Sequence, residues 1–152
     1  MGLFSKFKSE PSYSDFLPKN EQEAWIAIIY CCISTDDNVT DAEIDNFSRV
    51  ITFKSLFDGC DSLACYKKAI SAKNKVGEDK LVEESAKFIP DENKATLLAV
   101  AVDLVAADGS IGFEEEKIIE NVVAALNIEP LLAENIVNVL MIRNKFNKVI
   151  ID

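Results

Sequence analysis

The sequence predicts an all-α fold, a single helical-bundle domain of about seven helices with two pseudo-repeated helical hairpins. Three observations predict it. No stretch alternates apolar and polar residues with period two between turn residues, as half-buried strands do. Glycine and proline number only 5 and 4 in 152 residues, so long helical periods run on without breakers. One unit, helix–acidic turn–helix, also occurs twice. The clearer copy covers residues 98–126 with its turn at Asp108-Gly109, and the other covers residues 26–51 with its turn at Asp36. Setting Asp36 on Asp108 aligns them without a gap. Ile28, Ile29 and Ile33 then fall on Val100, Ala101 and Val105, Val39 on Ile111, Glu43 on Glu115, and Phe47 on Ile119. Any two amphipathic hairpins align somewhere; a joint match of the turn acid, the apolar residue after it and the later Glu is more specific.

Residues 1–19 read as a mobile lead-in to a helical domain over 20–152. Leu3, Phe4 and Phe7 alternate with Lys6 and Lys8 in a short amphipathic turn, and Phe16 and Leu17 pin the tail. A first helix is expected over 21–34. Asn20 followed by Glu23 has capping-box spacing, and Trp25, Ile28, Ile29 and Cys32 share one face. A second helix starts after Thr40, capped by Thr40 and Glu43, with Ile44, Phe47, Val50 and Ile51 as its stripe and Gly59 at its close. Asp61 or Ser62 opens a third helix to about residue 75, with Leu63, Tyr66 and Ile70 inward, and Val76-Gly77 breaks it. A shorter helix follows over 80–88. Pro90 and Asp91 then open a fifth, with Asp91 as N-cap. This one is apolar nearly all round from Leu97 to Val105, so it is expected to be central. The helix after Asp108-Gly109 buries Ile118, Ile119, Val122, Val123 and Leu126, and Asn127 is its left-handed cap. Pro130 suits the first position of a last helix to about residue 141. Val105, Leu104, Ile29 and Phe47 are expected in the core.

Net charge is −10. Nucleic acid is disfavoured as a partner, because neutralising phosphates needs a basic surface. No stretch approaches the ~18 continuous apolar residues of a membrane span, and residues 1–8 are too short and too charged for a signal peptide. A cytoplasmic protein is the expectation. Without an export signal, Cys31, Cys32, Cys60 and Cys65 do not suggest a disulfide framework. Cys31 and Cys32 read as small hydrophobes in an apolar helix. The Cys60–Cys65 spacing is not that of a zinc knuckle, and the chain has no histidine. No catalytic residues emerge: there is no Gly-rich phosphate loop, nucleophile elbow, Cys–His pair or Glu-x-x-His pair. A non-enzymatic protein is therefore expected.

The acidic turns carry the candidate chemistry. Asp36, Asn38 and Glu43 in the first copy, and Asp108 and Glu115 in the second, offer oxygen ligands at short spacings. Each turn acid is followed seven residues later by a Glu at the third position of the next helix, which brings it back beside the turn. Oxygen-only ligation points to calcium or magnesium over zinc. An EF-hand is rejected, because its sixth-position Gly is replaced by Asp41 or Phe113 and its twelfth-position Glu by Phe47 or Ile119. Capping alone also accounts for Glu43. Asp103, inside the most apolar helix, needs a partner or a wet face, since a buried lone carboxylate costs several kcal/mol.

The run Val105-Ala-Ala-Asp-Gly-Ser-Ile111, the acidic Glu114-Glu-Glu-Lys117, Ala124-Ala-Leu-Asn-Ile-Glu-Pro130 and the start Phe4-Ser-Lys-Phe-Lys8 together resemble the TerB family, the tellurite-resistance helical domain. The resemblance covers essentially the whole chain. It implies an all-helical domain of two pseudo-repeated parts acting in bacterial stress response as an interaction or scaffold module. Its implied partners are proteins, among them an integral membrane component, which would place the chain at the inner membrane face. It also implies divalent-cation binding by acids of the two turns. Two departures stand out: Asp37 where the family usually has Gly, and Gly112 where a Ser, Thr or Asp cap is usual.

Overall fold

The computed structural model describes residues 15–35 and 41–147, apart from the side chain of Ala42. Expectations for residues 1–14, for Asp36, Asn38 and Thr40, and for 148–152 lie outside the described residues. Seven α-helices follow in order: α1 Glu21–Ile33, α2 Asp41–Phe53, α3 Ser62–Val76, α4 Glu78–Ala86, α5 Asp91–Val105, α6 Phe113–Leu126 and α7 Pro130–Arg143. A 3-10 turn, Ser55–Phe57, follows α2. The described residues contain no strand.

The fold is arranged around α1. Every residue from Ala24 to Ile33 is buried, because α3, α4, α5 and α6 all pack against this one helix. Its apolar run Ala-Trp-Ile-Ala-Ile-Ile-Tyr-Cys-Cys-Ile has no charged residue to face water. Burying each of the larger side chains contributes about 1.5–3 kcal/mol. The expected centre was α5, and this is corrected. Leu97, Leu98, Ala101, Val102 and Val105 of α5 are buried, but Val100 and Leu104 are only partly so. The mean apolarity of α5 misled because Asp91, Glu92, Lys94 and Asp103 give it a wet side. Of the expected core residues, Ile29, Phe47 and Val105 are buried and Leu104 lies at the margin.

The ends of α1 leave backbone groups without intrahelical partners, and both ends are capped. At the start, Asn20 Oδ1 accepts from the Glu23 amide at 2.9 Å. The reciprocal half of the expected box is shifted by one residue: Glu23 Oε1 accepts from the Lys19 amide at 3.1 Å. At the end, Ser34 Oγ donates to the Tyr30 carbonyl at 2.6 Å. Lys73 Nζ, from α3, donates to the Ser34 carbonyl at 2.8 Å and to Ser34 Oγ at 2.9 Å. An ammonium there also opposes the negative end of the helix dipole. The same Nζ lies 5.5 Å from the centre of the Tyr30 ring, and Tyr30 in turn meets Tyr66 edge-on at 5.3 Å.

The other boundaries fall close to expectation, with local differences. Asp61 caps α3 by accepting from the Ala64 amide at 3.1 Å. Leu63 is exposed, and Ala69 and Ala72 form the buried face of α3 in its place. Asp91 is the first helical residue of α5 and not its cap, which is Pro90. Its carboxylate pairs with Lys94 at 2.8 Å. Asn127 closes α6 with φ 57°, and Pro130 opens α7. Phe16 and Leu17 pack against the core as expected. The two hairpins also touch, α1 against α5 and α6, and α5 against α2.

The central place of α1 sets an order of sensitivity. Ile28→Ala is expected to cost about 2–5 kcal/mol in urea unfolding, as a fully buried truncation does. Leu104→Ala is expected to cost distinctly less. A larger loss at Leu104 than at Ile28 would return α5 to the centre.

Candidate functional site

Two helix N-termini, those of α2 and α6, open on a shared hollow of about 320 Å³. Its lining is Ile33 and Thr35 from the end of α1, Glu43 from α2, and Gly112, Phe113, Glu114 and Glu115 from α6. Glu43 and Glu115 are each the third residue of their helix. The structure therefore brings the late Glu of each sequence copy to one place. Glu114, second in α6, joins them although it was not among the candidate residues. The one sequence signal for it was the run of three glutamates.

The second turn holds its shape through Asp108. Asp108 Oδ1 accepts from the Ser110 amide at 3.0 Å and from Ser110 Oγ at 3.1 Å, the self-closing turn an Asp favours. Asp108 is exposed and is not part of the hollow's wall. Of the candidate residues described, Glu43 and Glu115 thus line one hollow and Asp108 does not. Among the described residues, no group of three or more Asp, Glu or Cys side chains stands close enough to hold a metal ion. The described part of the candidate site supplies carboxylates from two sides but not a closed ligand set.

Glu115 has a local role as well. Its Oε1 accepts from the Gly112 amide at 2.9 Å. This is half of a capping box, since Gly112 has no side chain to return the bond. The two helix N-termini contribute roughly half a positive charge each. Both dipoles offset part of the charge of the three glutamates. Its back wall is α1. Burial, then the fields of Cys31, Glu78 and Glu115, push the Cys32 thiol well above its ordinary range, and burial chiefly pushes Cys31 up to about 12. Both stay protonated and behave as small apolar groups, as the sequence implies.

The Asp108-Gly109 turn rests on the end of α7. Asp103 is half-exposed, not buried. Its Oδ1 accepts from Asn144 Nδ2 at 2.9 Å, with Arg143 at 3.7 Å. Asn144, just past α7, is itself buried. It accepts through Oδ1 from Asn147 Nδ2 at 2.7 Å, and Asn147 Nδ2 also donates to the Ala107 carbonyl at 3.0 Å. Asp103 thus anchors the turn to α7 and does not line a site with Asp108. Gly109 has φ +90°, and a Cβ there would stand 3.3 Å from the Asn144 carbonyl oxygen.

A family model described as Tellurite resistance protein TerB matches residues 22–136. No curated protein and no solved structure matches the chain.

The two glycines of this region should respond oppositely. Gly109→Ala forces a left-handed conformation on a residue with a Cβ and presses on Asn144, so a loss of about 1–3 kcal/mol is expected. Gly112→Ser, at a cap position with extended φ and ψ, should gain a few tenths of a kcal/mol by supplying the missing half of the cap. Chemical denaturation of both variants checks the pair; a neutral Gly109→Ala would mean that the turn is free of α7.

Proposed function

The chain belongs to the TerB family of tellurite-resistance proteins, and from that premise we propose that it is a non-enzymatic interaction and scaffold domain that serves a tellurite or chemical stress response by docking protein partners. The observation that carries this reading is the outer face of α7. Taking 100° per residue, Ala133, Ile136, Val137 and Leu140 point one way, and this side packs on α5. Leu131, Leu132, Val139 and Ile142 fall within roughly 100° of arc on the opposite side, and all four are exposed. Phe146, just beyond the helix, is 89% exposed. Single exposed leucines mean little, but two pairs of large apolar residues on one face of a helix, with the exposed Asn135 between them, are the kind of patch that marks an association surface. No described helix is long and apolar enough to cross a membrane, so contact with a membrane complex would run through such a surface.

The test is a double substitution, Val139→Glu with Ile142→Glu. Thermal unfolding should change little, because neither side chain is in the core. Affinity purification from cross-linked, tellurite-treated cells should recover proteins with the unaltered chain that the double variant loses. Equal recovery by both chains would overturn the reading.

A second reading, a divalent-cation sensor, is favoured by Glu43 and Glu115 lining one hollow. Asp36 and Asn38 belong to the same proposed ligand set, with Asp108 held back by its own turn. Calcium or magnesium suits oxygen-only donors. Millimolar calcium should raise the melting temperature and shift amide resonances at the first turns of α2 and α6. Glu115→Gln can still accept from the Gly112 amide, so it should keep the cap yet weaken the calcium response. If calcium shifts neither property in the unaltered chain, the acidic hollow is a cap arrangement and not a cation site.

A further inference from the structure

The four cysteines fall into two unlike pairs. Cys31 and Cys32 are fully buried in α1. Cys60 and Cys65 are half-buried, and their sulfurs lie 3.4 Å apart. Local structure dictates this contact. Asp61 caps α3, so Cys60 is the residue before the cap and Cys65 is the fourth helical residue. Those two positions meet across the first turn of a helix, where a pair of apolar side chains usually staples the incoming chain. Here the staple is made of two thiols. Its surroundings are fixed: the Cys60 amide donates to the Phe57 carbonyl at 2.9 Å, Gln22 Nε2 donates to the Leu56 carbonyl at 2.8 Å, and Lys68, one turn along, pairs with Glu23 of α1.

We propose that Cys60 and Cys65 form a reversible dithiol–disulfide site that is oxidised by small hydroperoxides. A disulfide needs its sulfurs at ~2.05 Å, so the present gap of 3.4 Å must close by about 1.4 Å. Cys65 is the resolving sulfur. Burial, then its hydrogen bond with Cys60, pushes its thiol up, which suits the sulfur that acts second. Cys60, as thiolate, attacks one peroxide oxygen. The O–O bond breaks, the departing hydroxide takes a proton to become water, and Cys60 becomes a sulfenic acid. The Cys65 sulfur then attacks the Cys60 sulfur, the S–O bond breaks, and the hydroxyl leaves as water with the Cys65 proton. Two thiols lose two electrons and two protons in all, and one hydrogen peroxide is reduced to two waters. A half-buried pair admits an oxidant of that size more readily than a bulky disulfide. The link through Lys68 and Gln22 places any change of this turn next to the start of α1.

Mass spectrometry of the native full-length chain after dilute hydrogen peroxide tests the site. The intact mass should fall by two hydrogen atoms, peptide mapping should join Cys60 to Cys65 within one chain, and a reductant should restore both thiols. Cys31 and Cys32 should stay reduced and react with alkylating agents only after denaturation. In Cys65→Ser the sulfenic acid of Cys60 has no partner and should be trapped by dimedone; in Cys60→Ser, Cys65 should take up little or no dimedone. Absence of the mass loss, a disulfide between chains, or sulfinic acid at Cys60 of the unaltered chain would overturn the proposal, and so would equal dimedone labelling of the two variants.

Discussion

Everything in this fold answers to the burial of α1 on all sides. A helix with one apolar stripe can lie on a surface, but ten successive buried residues oblige the chain to build a cage. Four other helices supply it, and their sequence order matters less than the fact that each offers a face to α1. The cage explains why small residues recur where helices approach: Ala24 and Ala27 on α1, Ala69 and Ala72 on α3, Ala101 on α5. It also explains the aromatic edge contacts. Trp25 meets Phe57 at 6.0 Å, and Tyr66 meets both Tyr30 and Phe47. These contacts tie the 3-10 turn, α2 and α3 to the central helix.

Caging a helix moves the polar problem to its ends, and here the ends connect structure to the candidate site. The α1 C-terminus is sealed by Ser34 and by a lysine reaching across from α3. The chain leaves that seal at Thr35, and Thr35 already lines the acidic hollow. A hydrogen bond to a charged donor contributes about 1.5–3 kcal/mol, more than a surface ion pair such as Arg143–Asp103, worth about 0–1 kcal/mol. The end of α1 is therefore held by the part-buried Lys73 arrangement, and the second turn by the Asn144 network. Each is held from outside its own hairpin, the end of α1 by α3 and the second turn by the end of α7.

Periodicity made the helices legible in the sequence, and special residues made their ends so. Asn20, Asp61, Asn127 and Pro130 each act where their backbone or side-chain chemistry says they should. Which helix is central was not legible. α1 and α5 both read as apolar nearly all round, and the single Asp103 that interrupts the α5 run, against none from Ala24 to Ile33 in α1, was too slight a signal to rank them. Lys73 was equally hidden, because a lysine late in an amphipathic helix looks like any solvated charge until another helix end is placed beside it. The candidate site was half legible. Repeat alignment picked out Glu43 and Glu115, since position three of a helix points back toward its own start. It could not tell that Asp108 would spend its carboxylate on Ser110, because the same Asp-Gly-Ser string serves a ligand or a turn.

That last ambiguity bears on how the hollow should be understood. A glutamate at the third helical position is favourable without any ligand, because it meets exposed amides and the positive end of the dipole, worth about 0.3–1 kcal/mol. One such residue per helix start would be a capping device and nothing more. Two helices that bring their starts together double the carboxylates while each dipole offsets only its own fraction of a charge. Glu114 adds a third carboxylate that makes no cap. The local interest of each helix is satisfied by one acid, and the surplus arises only from their meeting. Capping therefore accounts for Glu115, and the meeting of the two helix starts is what gathers Glu43 and Glu114 beside it.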